Sequence, residues 1–166
     1  MTLSSIPDVI DHLTGTVSGD TLDTLRANRP QARLHAQQSY LALFEPAAPA
    51  AGEASQFIGA ERFTVAVFVA GLHGQAELAA FYAEGLSRVG AAKGGARLAA
   101  ALVHAHLLVL HPRDARAADL QALLDAGWST TDIVTLSQLV AFLSFQIRVV
   151  VGLRSLAAQA APATAA

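Results

Sequence analysis

The stretch ERFTVAVFVAGLHGQAELAAFYAEGL, residues 61–86, decides the fold. Phe63 to Leu72 is almost continuously apolar. His73, Gly74 and Gln75 then arrive together. After them apolar residues recur at three- and four-residue spacing through Leu78, Phe81, Tyr82 and Leu86, the period of a helix. The stretch reads as two helices, about residues 60–73 and 75–89, joined by a break at Gly74. Leu and Ala dominate, and β-branched residues cluster only inside such helical patterns. The fold class is therefore all-α.

The same logic extends outward. A short helix over residues 7–13 ends at Gly15, and a second over 21–28 has Asp20 as its cap. Pro30 opens a third helix that reaches Phe44. Residues 45–55, rich in Pro and Gly, read as a loop, and so do residues 90–95. Helices over 96–111 and 115–126 follow. Ser129 then offers a capping hydroxyl with Asp132 three residues later, opening the longest helix, 130–156. The Ala-rich tail is expected to fray. This gives one domain, residues 1–157, with a core hairpin at 57–89 and a C-terminal helical region at 96–157. Residues 158–166 are expected to be a disordered tail.

An internal duplication is suggested by laying Phe57 over Trp128 without gaps. Thr64, Val69, Ala70, Leu72 and Gln75 then match Thr135, Val140, Ala141, Leu143 and Gln146. The two helices in this frame are apolar nearly all the way round, whereas a surface helix keeps one charged face. A chain of 166 residues has too little protein to cover both. Their excess apolar surface points to a homo-oligomer, a dimer, trimer or hexamer.

Composition excludes several classes. The charged fraction is 14% and the net charge is -2, with Lys93 the single lysine and no basic patch for nucleic acid. There is no cysteine, so disulfides, thiolate metal sites and thiol redox chemistry are excluded. The N-terminus lacks the basic and apolar regions of a signal peptide. Residues 63–72 and 133–147 fall short of the roughly 20 residues of a bilayer span. A soluble, cytoplasmic protein is expected, with no membrane partner and no cofactor.

The candidate chemistry centres on residues 73–82. His73 reads as a general base, oriented by Glu61 or Glu77, with Gln75 and Tyr82 on the adjoining helix and Tyr82 as a hydrogen-bond donor. The simpler reading is a capping histidine at a helix junction. His104, His106 and His111 do not make a metal site, because His104 and His106 point about 200° apart on a helix. Arg148, in the middle of the long apolar helix, needs a carboxylate or carbonyls there. It either binds an anionic substrate or forms a structural ion pair. Trp128, at the start of that helix, is a packing anchor and a candidate substrate contact.

Residues 61–86 and GWSTTDIVTLSQLVAFLSFQIRVVVGL, residues 127–153, together resemble the carboxymuconolactone decarboxylase and AhpD-like superfamily. The second segment resembles the C-terminal region of its peroxidase-related members. The resemblance spans about residues 30–157 and implies an all-α bundle assembled as trimers or hexamers. Peroxidase members carry a Cys-x-x-Cys pair, a histidine four residues later and an acidic residue on the preceding helix. The resemblance sets the cysteines at Gln75 and Leu78, the histidine at Tyr82, and the acidic position at Phe63, with Glu61 two residues away. Thiol peroxidase chemistry, which needs a thiolate, is thereby excluded. The superfamily also holds thiol-free decarboxylases and a bacterial subgroup encoded beside a second AhpD-like protein. Three functions follow: a thiol-independent acid/base enzyme using His73, Gln75, Tyr82 and Glu61, an inactive subunit or partner of a relative, or a small-ligand binder.

Overall fold

The computed structural model describes residues 6–45 and 56–160. These residues form an all-α bundle of eight α-helices: α1 Val9–Thr14, α2 Thr21–Ala27, α3 Pro30–Phe44, α4 Gly59–Leu72, α5 Ala76–Val89, α6 Ala96–Leu110, α7 Ala117–Asp125 and α8 Thr130–Ala160. A 3-10 turn, Pro112–Asp114, precedes α7 and delays its start relative to expectation. The expected loop after Glu45 lies outside the described residues.

The local signals act as their chemistry requires. Asp20 Oδ1 accepts from the Asp23 backbone N–H at 2.7 Å, and Ser129 Oγ accepts from that of Asp132 at 3.1 Å, so both cap their helices. Between α4 and α5 the chain turns at Gly74, whose φ is +68°, a left-handed conformation that favours glycine. α4 and α5 form the most extensive pairing in the molecule.

α8 is the axis of the bundle, packing against α1, α2, α3, α4, α6 and α7. By length and composition it is long and apolar enough to cross a bilayer, which corrects the shorter estimate from sequence. Its polar residues do not interrupt it, because Thr135, Ser137 and Ser155 donate to the carbonyls four residues back. Half of its apolar window is buried against the other helices. α8 also runs to Ala160, past the expected end at residue 156 and into the stretch read as a disordered tail. Alanine and glutamine are good helix formers, and neither Gly nor Pro interrupts residues 153–160.

The aromatic centre lies between α3, α4 and α5. The Phe44 ring is 4.9 Å from Phe63 and 5.2 Å from Tyr82, centroid to centroid. α1, α2 and α3 form a cap tied by charge. Arg26, buried, binds Asp8 at 2.8 Å and also Asp11, while Arg33 binds Asp23 at 2.9 Å and also Asp11. The cap is fastened to α8 where Arg154 Nη2 donates to the Leu13 carbonyl at 2.7 Å.

Candidate functional site

The residues at the helix break divide into an outer and an inner group. His73, the C-cap of α4, is partly buried, with Nε2 3.4 Å from Ser144 Oγ on α8. Burial, aided by the charge of Arg148, holds its imidazole below the usual range. Gln75 caps α5 and reaches only the His73 carbonyl, at 3.4 Å. Arg148 lies in the middle of the apolar α8, as expected, and is exposed there, with no carboxylate within 4.0 Å among the described residues. An all-apolar pattern has no stripe to fix which way a helix is rotated, so its inward face was not legible.

Inside, Leu78 and Tyr82 are both 0% exposed. Tyr82 donates its hydroxyl to Gln146 Oε1 on α8, at short range. Burial pushes the phenol well above its usual range. The amide nitrogen of Gln146 and the hydroxyl of Tyr40 are also sealed in without a hydrogen-bond partner. Tyr82 therefore does not face His73 or an open cleft. Its expected role as a donor to a reacting group is replaced by a bond inside the core.

Neither proposed orienting carboxylate serves His73. Glu77 pairs with Arg154 at 2.7 Å on the surface. Glu61 is buried and pairs with Arg97 at short range, and its other oxygen accepts from the Ile58 backbone N–H at 3.3 Å. Arg97 Nη2 also stands 3.8 Å from Asp132, which is 1% exposed. Trp128 completes this knot. Its Nε1 donates to the Arg97 carbonyl at 2.9 Å, the Arg97 guanidinium lies 4.1 Å over its ring, and its ring meets Phe57 at 5.0 Å. Trp128 thus packs where α4, α6 and α8 meet.

Sequence reasoning passed over Arg62, Arg97, Asp132, Ser144 and Gln146 as site residues. A signal was present in the duplicated frame. α4 begins at Gly59 and α8 at Thr130, the same offset that lays Phe57 over Trp128. That offset also lays Glu61 over Asp132, the two carboxylates that share Arg97.

No group of three or more His, Asp or Glu among the described residues is placed to hold a metal ion. His104 is buried, with neither ring nitrogen hydrogen-bonded, while His106 is exposed. Burial lowers the His104 pKa against a smaller raising effect of Asp119. A histidine whose folded pKa lies below its unfolded value binds its proton more readily when the chain unfolds. Its contribution to stability is complete above about pH 6.5 and is lost as pH falls through the folded value. The urea midpoint is expected to drop between about pH 7.5 and 5.5. His73, lowered in the same sense, adds to the slope in this window, so His104→Leu should flatten it in part, and an unchanged slope would refute the assignment. Asp20 and Asp23, whose pKa values lie below 3.8, do not titrate in this window.

No family model and no curated protein matches the chain. The solved structure of an uncharacterized peroxidase-related protein from Silicibacter sp. TM1040 is similar, with a TM-score of 0.56 at 18% identity. The likeness covers 75% of this chain and 69% of that one. At this identity it is a likeness of fold, and the helical architecture is one also found in a peroxidase-related protein.

Proposed function

We propose that this chain is a thiol-free, AhpD-like helical protein that acts by association, as a subunit of a homo-oligomer or as the partner of a second AhpD-like protein. One observation carries the reading. Leu78 and Tyr82, where the resemblance sets a reactive cysteine and histidine, are fully buried and fill that space themselves. The α8 surface supports it. Val134, Ala141, Phe145, Gly152 and Leu156 are all exposed and share one face by helical spacing, interrupted by Gln138 and Arg148. A stripe of apolar and small residues along a 31-residue helix suits another helix.

Sedimentation equilibrium tests this. The wild type is expected to sediment as a multiple of 17.2 kDa. Phe145→Glu, at an exposed position, should shift the equilibrium toward the monomer by roughly tenfold or more. A monomeric wild type that also fails to co-purify with an AhpD-like protein encoded beside it would overturn the reading.

A second reading rests on His73. A largely unprotonated imidazole at neutral pH, beside the Ser144 hydroxyl and with Arg148 free of any carboxylate within 4.0 Å among the described residues, suits thiol-independent acid/base chemistry at the surface. Loss of turnover in His73→Ala with the oligomer intact would favour it over association alone.

A further inference from the structure

Arg62 is the buried arginine whose hydrogen-bond partners are all neutral. It is 5% exposed. Its Nε donates to the Phe57 carbonyl at 2.8 Å, Nη1 donates to the Leu43 carbonyl at 2.7 Å, and the guanidinium lies 5.0 Å from the centre of the Phe57 ring. No carboxylate among the described residues comes within 4.0 Å of it. Asp132 acts on Arg62 only through its field, since its carboxylate stands by Arg97 and accepts from the Gln56 backbone N–H. A guanidinium presents five N–H donors in a fixed fork, so two carbonyls leave one edge free. That edge is not sealed. Nη2 of Arg97 is enclosed without a hydrogen bond, whereas Nη2 of Arg62 is not enclosed.

The free edge opens on a cleft of about 450 Å³ between α3, α4 and α8. Ser39 and Gln138 bring polar groups to its rim, and Leu43 and Phe142 give it apolar walls. Thr135 also lines it, but its hydroxyl is committed to the Thr131 carbonyl at 3.0 Å. Among the described residues no acidic side chain lines the cleft. The volume falls within the range of small-molecule sites.

We infer that this cleft binds a small monocarboxylate, its carboxylate on the free edge of Arg62 and its apolar body between Leu43 and Phe142. A planar fork matches a carboxylate in shape as well as charge. Arg62 is the one cation among the described lining residues, which suits one negative charge better than the two of a phosphate. The site is remote in chemistry from the helix break, since none of its lining residues belongs to the group at His73, Gln75 and Tyr82.

Fluorine NMR titration with 4-fluorobenzoate tests this, with hexanoate as competitor and 4-fluorobenzamide as the uncharged analogue. The acid is expected to bind with a Kd of about 1 mM or tighter, and hexanoate should displace it. The amide should bind at least about tenfold more weakly. Ala42→Trp, at an exposed position on the cleft wall, should block binding while leaving the thermal midpoint unchanged. Arg62→Met should weaken the acid roughly tenfold or more where it remains folded. The inference is overturned if neither acid binds saturably up to about 10 mM, if acid and amide bind alike, or if Ala42→Trp leaves binding intact. Sedimentation of the same samples separates this result from association, because the cleft can prove empty while the oligomer persists.

Discussion

Arg97→Met is expected to lower folding stability by about 3–5 kcal/mol, the range for removing one partner of a buried ion pair. Its side chain is 23% exposed, but Glu61 and Asp132 are 8% and 1% exposed, so the carboxylates left behind are the buried partners. The cost comes mainly from leaving the Glu61 carboxylate buried without its guanidinium, not from losing an attraction of equal size. A methionine keeps the apolar stem of the side chain but also removes the guanidinium that lies 4.1 Å over the Trp128 ring. Urea denaturation of the variant measures the loss. The double variant Arg97→Met with Glu61→Gln should recover part of it, because a neutral amide is easier to bury than a carboxylate. If the double variant is as unstable as the sum of the two singles, the charge account fails.

The second large effect is at Gly85. Elsewhere in a helix, Gly→Ala stabilises by about 1 kcal/mol. Here it is expected to destabilise by about 1–3 kcal/mol, the cost of overpacking a core. A Cβ at Gly85 would lie 2.3 Å from Cε1 and 2.7 Å from Cδ1 of Phe63. Phe63 is 1% exposed and packed on Phe44, so its ring has nowhere to move. Thermal and urea unfolding read the sign directly. Phe63→Leu with Gly85→Ala should recover stability relative to Gly85→Ala alone. A stabilised single variant would show that α4 and α5 can separate at little cost.

These two sites mark how far the sequence could be read. Helix limits follow from local chemistry, so Asp20, Pro30, Gly74 and Ser129 gave the boundaries. The partner of Glu61 lies 36 residues away on α6, and that of Tyr82 lies 64 residues away on α8, so no local pattern announces either. The same gap explains the two arginines. Arg148 has apolar neighbours in sequence, yet it is exposed. Arg62 sits beside Glu61 in a polar-looking pair, yet is buried. Which face of an all-apolar helix turns inward is set by packing against the others. The residues around Gly74 located the polar break correctly as a helix junction, but what fills the space behind it depended on Gln146 and Phe44.

The bond from Arg154 to the Leu13 carbonyl has a consequence in time. It joins residues 141 apart in the chain, while the α4–α5 hairpin closes over a three-residue turn. Short closures form early and long ones late, because the entropy of bringing distant segments together must be met first. During synthesis α1, α2 and α3 leave the ribosome long before α8 exists. The earliest helices made are therefore fastened to α8 late, and a nascent chain halted before residue 154 lacks the bond that ties the end of α1 to it.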